Sequence, residues 1–102
     1  MAVSRELHAA VLRRDGACLA YRLDRHHVCR DVWNRSHSPS DYGRLTVDHV
    51  HDAPMMGKRA PSDLAHLVAL CYWANVHGWA SAHRAEERAY LAQLYAVEVA
   101  TL

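Results

Sequence analysis

A chain of 102 residues, 51% of them apolar, is long enough for one domain with a modest core and too apolar for a disordered chain. No apolar run approaches the roughly 18 residues that would span a bilayer, which excludes a transmembrane helix. The net charge of +1 lacks the overall basic excess of many nucleic-acid binders.

The basic residues are unevenly spread, however: eight of the twelve precede residue 50, five of them between Arg13 and Arg30. The opening Met-Ala-Val-Ser-Arg-Glu-Leu-His has no apolar core of a secretory signal, so the expected compartment is the cytoplasm. Three cysteines, Cys18, Cys29 and Cys71, are an odd number for a disulfide framework. Together with nine histidines they suggest metal binding, against the plainer reading of three small buried apolar residues.

In chain order, Ser4 is placed to cap a first helix over Arg5–Asp15, with Leu7, Val11 and Leu12 on one face and Gly16 as its stop. Cys18 to Cys29 reads as an extended excursion or loop, and Asn34 to Gly43 as a turn-rich connection. Leu45–Val50 is a strand by β-branched content and alternation. Asp52–Asp63, with two prolines and a glycine, is a loop, and Leu67–Leu70 is a second strand able to pair with the first as an antiparallel hairpin. A helix then begins near Cys71 or Tyr72 and breaks at Gly78. Ser81 is expected to cap a last helix over Ala82–Ala100. Its apolar face would hold Ala85, Ala89, Leu91, Leu94, Tyr95 and Val97, its wet face Glu86, Glu87, Arg88 and Glu98. The order α, loop, β, β, α, α makes an α+β domain over residues 1–102.

The chemistry concentrates where these elements meet. Leu45-Thr46-Val47-Asp48-His49-Val50-His51 delivers an Asp-His pair at the end of a strand. His66-Leu67-Val68-Ala69-Leu70-Cys71 and Asn75 follow, on a second strand running into a helix. An imidazole titrates near neutral pH and suits deprotonation of water. A carboxylate and an amide oxygen suit a hard divalent cation. Neighbours on a regular strand face opposite ways, so Asp48 and His49 serve one site only if the strand ends or bends there.

This segment resembles the HNH endonucleases, in which a ββα-metal (His-Me finger) hairpin is built in the same order. The resemblance covers residues 18–84 and is densest over Leu45–Asn75, with flanking helices at about 5–15 and 82–100. It implies a metal-dependent nuclease that hydrolyses DNA phosphodiesters. His49 would be the general base, Asp48 and Asn75 the ligands of a catalytic magnesium or manganese, with nickel an alternative. His66 stands where the family has its middle Asn, a residue that orients the loop and the base. Many members also carry a structural zinc on two Cys-x-x-Cys pairs. Here Ala74 replaces the last cysteine, so Cys18, Cys29 and Cys71 would supply three ligands and His77 is the nearest candidate for the fourth, although it lies about 240° round a helix from Cys71.

For substrate, His51 returns to the face of His49, Lys58 and Arg59 sit in the loop between the strands, and His83 with Arg84 stands near a helix N-terminus that favours phosphate. A solvated loop and a capped surface helix are the competing readings of those two pairs. Trp33, Trp73 and Trp79 read as core or rim residues. The chain looks like the short stand-alone HNH proteins of actinobacteria and their phages. DNA is then the expected partner, with phage packaging proteins a second class, and the host cytoplasm the setting. The competing function is a non-catalytic, zinc-stabilised DNA-binding or packaging module that keeps the hairpin as scaffold.

Overall fold

The computed structural model of the chain describes residues 3–50 and 62–100. Helix α1, Arg5–Asp15, begins at Ser4, whose hydroxyl accepts the Leu7 amide at 3.1 Å. It ends where Gly16 enters the left-handed region at φ 74°, its N–H reaching the Leu12 carbonyl at 2.8 Å. Val11, Leu12 and Asp15 face inward.

The stretch after Cys18, expected to be an extended excursion or loop, instead coils into a short helix, α2, over Leu19–Leu23. Leu19 and Ala20 are fully buried, so the turn is stabilised by packing and not by its few intrahelical bonds. A compact knuckle follows. Arg30 and Ser36 form an isolated bridge, and the Asp31 carboxylate accepts the amides of Trp33 and Arg35 at 2.9 and 3.0 Å. These amides, Arg35 first, hold Asp31 below the usual carboxylate range. Asn34 takes the left-handed conformation at φ 62° that the turn requires.

Strands β1, Leu45–His49, and β2, Leu67–Cys71, pair antiparallel with Leu45 opposite Cys71 and His49 opposite Leu67. All five residues of β2 are buried, which fits its uninterrupted apolar run. Helix α3, Tyr72–Val76, leaves β2 without a linker and stops at His77 before Gly78, which adopts φ 97°. The α+β expectation therefore holds, as a two-stranded sheet with helices packed on it.

The C-terminal region departs from expectation. Ser81 lies inside a separate short helix, α4, Trp79–Ala82, and the last helix, α5, runs over Arg84–Ala100. Its inward stripe is Arg84, Glu87, Arg88, Leu91 and Tyr95, whereas Ala85, Ala89 and Leu94 are exposed. Glu87, expected on the wet face, is 0% exposed, because it lies against an arginine and an aspartate that also turn inward. The side chains of Val97 and Glu98 lie outside the described residues.

Asp15 is the buried junction of this assembly. Its carboxylate accepts the Ala69 amide of β2 at 2.8 Å, the Tyr90 hydroxyl of α5 at 2.5 Å and the Arg14 guanidinium at 2.7 Å. One side chain thus ties α1, the hairpin and α5 together. Among the described residues, no helix is long and apolar enough to cross a membrane.

Candidate metal centre and carboxylate site

Four side chains from separate parts of the chain converge beside the hairpin. Cys18 precedes α2, His27 and Cys29 lead into the knuckle, and Cys71 ends β2 as the N-cap of α3. Their ligand atoms all lie within 4.8 Å of one another, with the three cysteines buried and His27 half-buried. Backbone bonds fix this geometry: Cys18 N–H donates to Pro39 O at 2.9 Å, His37 N–H to Cys29 O at 3.1 Å and Trp73 N–H to Arg30 O at 3.1 Å. The Cys71 amide also meets the Cys18 sulfur at 3.2 Å, and His27 Nε2 lies 3.4 Å from the Cys71 sulfur.

The electrostatics fit a cation. The Cys71 thiol is pulled far below its ordinary value by hydrogen bonds from Cys18 and Cys29, helped by the Ala74 amide and the His27 ring. Cys29 is pushed far up by its bonds to Cys18 and Cys71 and by burial. At Cys18 the bond to Cys29 pulls downward, but Cys71 and burial outweigh it. Three thiolates there require a positive centre, and a tetrahedral Cys3His set is a common structural zinc arrangement. Its ligand-to-ligand edges of about 3.4–3.8 Å are compatible with the observed cluster. The four residues are able to hold a metal ion such as zinc.

The expected fourth ligand, His77, is not part of this group. It caps α3, and its ring stacks on Trp73 with centroids 5.4 Å apart and meets Tyr72 edge-on. The angular separation from Cys71 carries it away. His27 takes the fourth place, and the signal for it was the His-x-Cys spacing of His27 and Cys29, which puts alternate residues of an extended stretch on one side.

A second polar site lies between β1 and α5. Asp48, 8% exposed, shares the face of β1 that carries Thr46. The Arg84 Nη1 atom donates to Asp48 Oδ2, to Glu87 Oε1 at 2.9 Å and to the carbonyl of His49 at 3.1 Å. Among the described residues, Glu87 Oε2 is buried with no hydrogen-bond donor. Burial, and then the adjacent Asp48 carboxylate, push the Glu87 carboxyl up to about 8, against the opposing pull of Arg84. When both acids are ionised no donor lies between them, and one proton on Glu87 turns their contact into a hydrogen bond. Arg84 stays charged despite its burial because Asp48 and Glu87 flank it.

Asn75, on α3, reaches back to β1, its Nδ2 donating to Thr46 Oγ1 at 2.8 Å and to Val47 O at 3.3 Å. It therefore flanks the residues beside Asp48. Among the described residues, the His49 imidazole is hydrogen-bonded elsewhere: Nε2 lies 3.1 Å from Ser62 Oγ, and Arg84, through the His49 carbonyl, links this residue to Asp48. His66 Nδ1 sits 2.7 Å from Asp63 Oδ1, and its carbonyl accepts the Val50 amide at 2.8 Å, closing the hairpin.

His83 Nδ1 bonds the Trp79 carbonyl at 2.8 Å while its ring stacks on the Trp79 indole, and Arg84 is turned inward to the acids. The expected phosphate-binding pair is thus engaged within the protein. His51, Lys58 and Arg59 lie outside the described residues. Glu87 was absent from the sequence-derived site. Its position on the stripe with Arg84 and Leu91, at i−3 and i+4, was the available signal. No family model, curated protein or solved structure matches the chain.

Proposed function

We propose that the chain is a zinc-stabilised, divalent-cation-dependent nuclease of the HNH kind, its hairpin and α3 forming a ββα-metal core that acts on DNA phosphodiesters. The observation that carries this reading is the bonding of Asn75 to Thr46 and Val47. It draws the amide of a helix onto the strand segment that ends in Asp48 and His49. The Asp48 carboxylate and an amide from a helix 27 positions further along the chain then flank the same strand, with the His49 imidazole at its end.

Asp48 and Asn75 would hold the catalytic magnesium or manganese, with nickel an alternative. The buried, unpartnered oxygen of Glu87 beside Asp48 fits a place short of positive charge. When bound, such an ion offsets the negative charge that develops on the phosphate oxygens. His49 accepts a proton from the attacking water through its ring, with the Ser62 hydroxyl as its resting partner. The water oxygen bonds to phosphorus, and the phosphorus–oxygen bond to the departing strand breaks. His66, tied to Asp63 and to the closing backbone bond of the hairpin, would orient the strand end that carries the base. Cys18, His27, Cys29 and Cys71 hold zinc and fix α3 against β1. His51, Lys58 and Arg59 are the substrate-facing candidates, and phage packaging proteins remain the second class of partner beside DNA.

The test is nicking of supercoiled plasmid with magnesium, manganese or nickel by zinc-loaded protein. Wild type should nick, and His49→Ala with equal zinc content should fall to background. Equal background activity in both sinks the proposal.

One observation favours a second reading. Arg84 already neutralises Asp48 in place of a cation. A non-catalytic, zinc-stabilised DNA-binding or packaging module would keep that ion pair permanently. It would retard DNA in a gel and cleave it with none of the three ions.

A further inference from the structure

We infer that Glu87 of α5 is a protein ligand of the hard divalent cation, forming with Asp48 an oxygen-lined pocket that Arg84 fills when the cation is absent. This rests on the reading of Asp48 as a cation ligand and adds to it a residue from an element outside the hairpin and α3.

The argument starts from donors and acceptors. The three bonds of Arg84 to this site all run through Nη1, which carries two hydrogens. Three oxygens approach it: a carboxylate oxygen of Asp48, one of Glu87 and the backbone carbonyl of His49. The nitrogen is therefore over-subscribed. Among the described residues no donor reaches Glu87 Oε2, in a side chain that is 0% exposed. A buried acceptor left in this way is unfavourable by itself, so beside Arg84 the two acids take up a further positive charge, either a proton shared between them or a divalent ion.

Charge and ligand type agree. With both acids ionised, two carboxylates against one guanidinium leave a net charge of −1, and a divalent ion taking the place of the guanidinium and of the Glu87 proton restores neutrality. Carboxylate and carbonyl oxygens are the donors that magnesium and manganese take, and a soft metal would prefer the distant thiol cluster. Arg84 is partly exposed on a side chain long enough to swing outward, where it is free to meet a phosphate. The 8% exposure of Asp48 is the opening toward solvent.

The experiment measures binding of manganese to zinc-loaded, full-length protein by the loss of the free-ion electron paramagnetic resonance signal, with zinc content checked in parallel. Wild type should take up one manganese. Glu87→Gln, which keeps the shape and removes the charge, should weaken uptake at least tenfold with zinc unchanged. Arg84→Met should tighten it, because the competing cation is gone, and this variant decides the matter if Glu87→Gln does not fold. Unchanged manganese affinity in Glu87→Gln, or unchanged or weaker affinity in Arg84→Met, overturns the inference. If Asp48→Asn loses manganese while Glu87→Gln keeps it, the inference falls and the Asp48–Asn75 reading stands. If wild type takes up none, both fall.

Discussion

The His27 ring nitrogen lies 3.4 Å from the Cys71 sulfur, across 44 positions of sequence, and joins the knuckle to the end of β2. That contact makes the cysteine–histidine cluster the tie between the N-terminal third of the chain and the hairpin. A thiol cluster of this kind holds the elements together only when its charge is balanced, so folding and metal uptake are expected to be coupled.

His27→Ala and Cys29→Ser should each lower zinc content below one per chain and destabilise the protein by several kcal/mol, the scale on which structural zinc contributes. His77→Ala should retain zinc and change the melting midpoint little, since that exposed ring stacks on Trp73 and meets Tyr72 edge-on, away from the cysteines. Metal analysis by mass spectrometry with thermal melts, with and without a zinc chelator, checks this. Zinc retained by His27→Ala but lost from His77→Ala would reverse the ligand assignment.

Asp15 is expected to be a stability hub with no part in chemistry. Asp15→Ala leaves the Ala69 amide, the Tyr90 hydroxyl and the Arg14 guanidinium without their shared acceptor. The expected loss is about 3–5 kcal/mol in urea unfolding, as for breaking one side of a buried ion pair. Tyr90→Phe removes a single bond to the same carboxylate and should lose about 1 kcal/mol. Equal effects from the two variants would show that Asp15 does not integrate the three elements.

Local signals carried much of the fold. Helix α1 could be placed from Ser4, Gly16 and the Val11–Leu12 face because its caps act within a few residues. The hairpin followed from two β-branched or apolar runs. The site was less legible, since burial of a charged residue depends on partners from other elements. Glu87 looked like a solvent residue until Arg84 and Asp48 were seen to meet it. The start of α5 was also misplaced: Ser81 is a favourable cap in isolation, but Trp79–Ala82 forms its own turn. The His-x-Cys spacing alone does not place His27 in the cluster, because α2 and the knuckle, which bring Cys18 and Cys29 together, are stabilised by packing between elements.

The pH dependence of stability should report on Glu87. Its folded carboxyl, at about 8, lies above the ordinary 4.5, so the folded state holds the proton more tightly than the unfolded state. That stabilisation is fully present below the unfolded value and is lost as pH rises through the folded one. Between about pH 5 and 8, without added magnesium or manganese, wild type should lose stability relative to Glu87→Gln, at a rate approaching about 1.4 kcal/mol per pH unit. The zinc contribution is common to both proteins and drops out of the difference. A difference that is flat over this window in urea unfolding would mean that Glu87 is ionised throughout in the folded state.

Arg84 and Glu87 should also be energetically coupled. Without divalent ions, Arg84→Met strips the compensating charge from two acids packed against each other, one of them fully buried. The loss should be about 3 kcal/mol, as for any buried ion pair broken from one side. Removing the Glu87 charge as well relieves most of that repulsion, so Arg84→Met combined with Glu87→Gln should be more stable than Arg84→Met alone. A double-mutant cycle from urea unfolding near pH 8 gives the interaction directly, with about 1–3 kcal/mol expected for groups in contact. Additive losses would place Arg84 in solvent, away from both acids, and the pocket between β1 and α5 would lose its counter-cation.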